Sequence, residues 1–103
     1  MALTIGLDIS KRVFQVHAID HATRKVERVK LRRAEVLPFF ANRSQCLVAM
    51  EACGSSHHWA RQLRALGHEV RLIATKFVRP FVKSNKTDAA DASAICEAAQ
   101  RPE

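Results

Sequence analysis

Cysteine is scarce in this chain, and Cys46, Cys53 and Cys96 show no CxxC spacing. An odd set so placed indicates neither a disulfide framework nor a zinc knuckle, and it suits a reducing compartment. No apolar run reaches about 18 residues, and no charged-then-apolar leader opens the chain, so neither membrane spanning nor secretion is expected. Internal repeats, linkers and low-complexity stretches are also missing, which makes one compact domain over residues 1–103 the expectation. Acidic residues are in deficit: 10 Asp and Glu against 17 Lys and Arg give a net charge of +7. That balance favours a polyanionic partner such as nucleic acid.

What is present is organised around Leu3-Thr4-Ile5-Gly6-Leu7-Asp8-Ile9-Ser10. Leu3, Ile5, Leu7 and Ile9 alternate with Thr4, Gly6 and Asp8, the period of a strand with one face on a core. Asp8 then lies on the other face. Residues 13–19 read as a second strand, and the short Ser10-Lys11-Arg12 link makes the pair an antiparallel hairpin. Residues 25–31 return as a third strand whose alternation slips between Val26 and Val29, a sign of a bulge or an edge. Its basic residues Lys25, Arg28, Lys30, Arg32 and Arg33 suit an edge protected by charge, with nucleic-acid contact as the alternative.

Residues 34–41 suit a short helix if Pro38 lies near its first turn. The continuous apolar run 46–50 fits a parallel strand covered on both faces, ended by Glu51. Gly54-Ser55-Ser56 offers a helix start, Trp59, Leu63 and Leu66 follow as its core stripe, and Gly67 supplies the stop. Residues 69–73 make a fifth strand. The expected architecture is a mixed α/β sheet of five strands in the order 3-2-1-4-5, with strand 2 antiparallel and helices alongside.

The last third is dense in charge. Lys76, Arg79, Lys83 and Lys86 are spaced to share one helical face, a stripe suited to phosphates or simply to solvent, although Pro80 divides it between a turn and a loop. Thr87 is a candidate cap, and Asp88 and Asp91 share a face of the helix that follows. Acids at a helix start are favoured by the macrodipole alone, by about 0.3 to 1 kcal/mol each. With Asp8 on a central strand and Glu51 at a strand end, however, carboxylates from separate elements can converge on Mg²⁺ or Mn²⁺. Paired ions of this kind stabilise both oxygens of a phosphodiester displacement.

Four blocks carry a resemblance. They are Ile5-Gly6-Leu7-Asp8-Ile9-Ser10-Lys11, the run from Met50-Glu51-Ala52-Cys53-Gly54 to Trp59-Ala60, Leu66-Gly67-His68-Glu69-Val70, and Asn85-Lys86-Thr87-Asp88-Ala89-Ala90-Asp91-Ala92. In this order they closely resemble the N-terminal domain of DEDD transposases of bacterial insertion sequences, the IS one-ten and IS eleven-eleven groups. The resemblance spans essentially the whole chain and implies an RNase H-like, RuvC-like fold. It implies Asp8, Glu51, Asp88 and Asp91 as the catalytic and metal-binding acids, DNA as substrate and a structured guide RNA as partner. It also implies a second domain that supplies a nucleophilic serine. Arg101-Pro102-Glu103 follows a helical stretch with no closing element, so the chain reads as a fragment that lacks that domain.

The expected protein is therefore a cytoplasmic, nucleoid-associated recombinase domain that depends on a divalent metal. Further copies of the chain are expected to join it in the full-length protein, with no membrane partner. Lys11, Lys76, Arg79, Lys83 and Lys86 are its candidate nucleic-acid contacts. The rival readings are a non-catalytic nucleic-acid-binding module and a stand-alone junction-resolving nuclease. A sugar-kinase-like ATPase is disfavoured, because Asp8-Ile9-Ser10-Lys11 lacks the glycine-rich phosphate hairpin. His57-His58 with Cys53 lacks a fourth zinc ligand. Cys53 and Cys96 suit small buried residues, and Trp59 suits the core better than a base stack.

Overall fold

The computed structural model describes residues 2–10, 12–82 and 88–101, with the side chains of 88–90 left out. Five strands, β1 (Leu3–Asp8), β2 (Val13–Asp20), β3 (Val26–Arg32), β4 (Leu47–Glu51) and β5 (Glu69–Ile73), form one sheet in the order β3-β2-β1-β4-β5. β2 is antiparallel to β1 and β3, while β4 is parallel to β1 and β5. This is the expected sheet. The helices are α1 (Val36–Ala41), α2 (Ser56–Ala65), α3 (Thr75–Val78) and α4 (Asp88–Ala99).

Register assigns each strand residue to a face. Ile5, Leu7, Val16, Val48 and Met50 share one face and join Phe14, Val36, Phe40, Trp59 and Leu63 in the main core. Trp59 is buried there, with its ring edge-on to Phe14 at a centroid distance of 5.0 Å. Leu66, expected in the same stripe, caps α2 and is exposed. The other face carries Thr4, Gly6, Asp8, Ala49 and Glu51, and α4 lies over it, packing on β1 and β2.

Gly6 explains how close α4 comes. A Cβ added there would collide with the Ala92 carbonyl oxygen and lie 2.5 Å from Cys96 N and 2.9 Å from Cys96 Cβ. Those obstacles are mostly helix backbone, which cannot swing aside as a long side chain can, so only glycine lets α4 sit this low on β1.

Local details depart from expectation in instructive ways. β3 holds an unbroken register against β2 from Ile19–Val26 to Val13–Arg32, so the slipped alternation marks an edge and not a bulge. Ser55 stands at the N-cap of α2 without a side-chain bond to the helix N–H groups. Buried Ser56 instead ties the preceding loop, its Oγ donating to the Cys53 carbonyl at 2.8 Å and accepting from the Cys53 N–H at 3.0 Å. Pro38 falls in the first turn of α1, where its missing N–H costs nothing. Gly67 adopts the positive φ of 95° that ends α2.

His68 joins three elements from a buried position. The Cys46 N–H donates to His68 Nδ1 at 3.2 Å, which leaves Nε2–H to donate to the Phe40 carbonyl at 2.7 Å. The ring thus satisfies the end of α1 and the approach to β4 while itself leading into β5.

Candidate functional site

The carboxyl ends of parallel strands are where open α/β sheets gather ligands, since the chain turns away there and leaves a crevice. Asp8 and Glu51 end β1 and β4 one step beyond the paired Leu7 and Met50, so they stand side by side on the face covered by α4. Both are half-buried. The apolar residues before them belong to the core strands, which holds these two acids on rigid backbone.

Asp91 enters from α4. It lines a cleft of about 120 Å³ with Glu51, Thr75, Val78, Arg79 and Val82. Three of the four expected acids therefore belong to one region, at the end of the sheet where α4 begins. The side chain of Asp88 lies outside the described residues. Among the described residues no group of three or more His, Cys, Asp or Glu is gathered to metal-binding spacing. The donor set itself is all oxygen, the chemistry of a hard cation such as Mg²⁺ or Mn²⁺ and not of zinc. By donor type and by their shared end of the sheet, the residues fit such an ion.

The expected cationic stripe divides. α3 is only four residues long, and Pro80 sits in the 3₁₀ turn Arg79–Phe81 that follows it. Arg79 reaches the cleft with Glu51 and Asp91. Lys76 instead lines an apolar groove of about 230 Å³ with Arg71, Phe77, Phe81 and Arg101. Phe77 is half exposed at its rim. Lys11, Lys83 and Lys86 lie outside the described residues.

Two further side chains, His17 and Cys96, define the α4 face. Burial lowers the pKa of His17, and the guanidinium of Arg28 beside it adds to the effect, against a smaller opposing pull from Glu97. His17 stands directly opposite Gly6, and its Nδ1 has no hydrogen-bond partner among the described residues. Burial also pushes the Cys96 thiol up to about 11, so it is an inert packing residue. Cys53 corrects the sequence reading, for it is exposed in the loop after β4. Gly6 was missed as a site-forming residue, although a glycine inside a strand pattern is itself a signal of close backbone approach.

Comparison with known proteins adds the family. The profile of the IS110 DEDD family, described as transposase, matches residues 5–103. The chain belongs to the DEDD transposase family. A probable family 20 transposase of Pseudomonas aeruginosa is 62% identical over 98 residues, covering 95% of this chain and 29% of that one. The transposase for insertion sequence element IS1111A of Coxiella burnetii is 41% identical over 97 residues, 94% of this chain and 27% of that one. The chain spans less than a third of the length of the curated relatives it matches. Its fold is similar to that of Thermus thermophilus RuvC, solved in complex with a Holliday junction substrate, at a TM-score of 0.66 and 12% identity. That match covers 95% of this chain and 92% of the other. This DEDD transposase domain therefore has the RNase H-like α/β fold.

Proposed function

We propose that this chain is the catalytic core of a DNA transposase, in which Asp8, Glu51, Asp88 and Asp91 hold divalent metal at the end of the sheet. The observation that carries the reading is the side-by-side ending of β1 and β4 in Asp8 and Glu51, on the face where α4 delivers Asp91. Family membership supports the same reading, because the family match over residues 5–103 spans all four acids. A bound divalent cation would supply Lewis-acid activation at a phosphodiester. The chain's own part is to present oxygen donors from rigid strands, to offset their mutual repulsion with nearby cations, and to align a nucleic-acid backbone.

Arg79 is suited to that alignment, since it shares the cleft with two of the acids. Lys11, Lys76, Lys83 and Lys86 extend the proposed nucleic-acid surface. The reaction proposed is strand cleavage and exchange on DNA, directed by a structured RNA encoded by the element, in a full-length protein that works as an oligomer in the cytoplasm. In that protein a second domain supplies the nucleophilic serine, and no serine of this chain takes the role.

The test is a Mn²⁺ titration of the purified chain followed by NMR line broadening. Broadening centred on Asp8, Glu51, Asp88 and Asp91 and lost in Asp8→Asn is the expected result. Full-length protein that shows no such broadening with its nucleic acid bound, and that keeps its activity in Asp8→Asn, would leave a non-catalytic binding module as the better account.

A further inference from the structure

The sheet face that carries Asp8 continues beyond α4 onto β2 and β3. Register makes the continuation specific: Asp8 pairs with Gln15 and Gln15 with Lys30, while Gly6 pairs with His17 and His17 with Arg28. Residues paired across neighbouring strands point to the same side, so Arg28 and Lys30 share the face of Asp8. The effect of Arg28 on His17 is a second sign of that placement. α4 packs on β1 and β2, and both cations are exposed on the strand beyond them.

The opposite face of β3 differs. Glu27 there is paired with Arg43 at 3.2 Å, and the Arg43 guanidinium stacks on Phe39 at 4.0 Å. Among the described residues, Arg28 and Lys30 have no ion pair within 4.0 Å. Protection of an edge needs charge on the strand but not charge of one sign, unneutralised, on one chosen face.

We infer that Arg28 and Lys30 form a phosphate track for the DNA strand whose phosphodiester lies at the carboxylates. This inference rests on the proposed catalytic reading and adds a path for the substrate. Two strand spacings of about 4.8 Å put the Lys30 backbone roughly 10 Å from that of Asp8. Even at the duplex's axial rise of roughly 3.4 Å per nucleotide this is no more than about three nucleotides, so the track meets phosphates close to the reacting one. Charge complementarity selects a nucleic-acid backbone as the occupant, and continuity with Asp8 selects DNA.

Anisotropy titrations of a labelled DNA duplex and an RNA hairpin over a range of salt, using this chain, provide the test. Each lost phosphate contact lowers the slope of log affinity against log salt by about 0.9 on B-DNA, so Arg28→Gln with Lys30→Gln should lower it by about 1.8. Between about 50 and 200 mM salt, that makes the variant's affinity fall roughly tenfold less than the parent's. Arg61→Gln with Arg64→Gln removes the same charge from α2, across the sheet, and should leave the slope unchanged. The exchange Arg28→Lys with Lys30→Arg should retain the parent slope, which separates charge from damage to the fold.

Equal changes in both charge-removing pairs, or none in either, would overturn the track. A slope change seen with RNA but not DNA would overturn the choice of DNA. Each of these leaves the Mn²⁺ result intact, so the catalytic reading can stand when the track fails. A chain that binds no DNA at any salt would overturn both the track and the DNA-binding part of that reading.

Discussion

The two faces of the sheet are built from different residues and are stabilised differently. Toward α1 and α2 the face is large and apolar: Phe14, Phe40, Trp59, Leu63, Ile5, Leu7 and Met50 fill the space between layers. Toward α4 it is small and polar, with Gly6, Ala49, Ala92 and Cys96 letting a helix settle almost onto the strands beside Thr4, His17, Asp8 and Glu51. The first face contributes most of the hydrophobic free energy. The second trades burial for proximity, and that proximity sets α4, which carries Asp91, close against the face of β1 and β4 that carries Asp8 and Glu51. A fold that needs both cannot exchange the residues of one face for those of the other.

Truncation on the large face should cost most. Phe14→Ala removes a fully buried ring and its edge-on contact with Trp59, and should lower stability by about 3–5 kcal/mol in a denaturant titration. If the faces are as separate as described, Mn²⁺ broadening at Asp8 should persist in whatever fraction stays folded. Loss of the site with folding intact would break the comparison.

The reverse change belongs on the small face. Gly6→Ala adds one methyl group where the Ala92 carbonyl and the Cys96 backbone stand, and should cost about 1–3 kcal/mol. Because α4 must lift, this variant should also lose Mn²⁺ broadening between β1 and α4, an effect larger than its cost in stability. Full metal response in Gly6→Ala would mean that the close approach is incidental to the site.

A smaller effect concerns acid. The folded pKa of His17 lies below its ordinary value of 6.5, so the folded state binds fewer protons than the unfolded chain between the two values. Its contribution to stability is therefore present in full above about pH 6.5, declines as pH falls below that, and levels off below the folded pKa. Melts between pH 8 and 5 should show a shallower decline in His17→Gln than in the parent; an identical decline would remove His17 from the account.

The smallest perturbation leaves the fold alone. Cys53 should react with a mild thiol reagent at neutral pH, whereas Cys46 and Cys96, both buried and both with raised pKa, should react only on unfolding. Rapid labelling of Cys96 in native conditions would show that α4 leaves the sheet readily.

The sequence by itself determined the strands and their order, because those signals are mostly local, and the four acids entered as candidates through the family resemblance. Alternation around Asp8 marks a half-buried strand, a three-residue link forces a hairpin, and an unbroken apolar run ending in Glu51 marks a parallel strand. The early end of α3 at Val78 was also legible, since Pro80 cannot continue an α-helix. Other features depend on partners far away in the chain, and only tertiary structure could decide them. Gly6 matters because of Ala92 and Cys96, more than 80 residues on. His68 matters because Phe40 and Cys46 need its two nitrogens. In the sequence the cations of β3 suit either edge protection or nucleic-acid contact, and only the register places Arg28 and Lys30 on the face of Asp8. Periodicity says that a strand has two faces; what packs across each of them is a long-range fact, set by which elements meet.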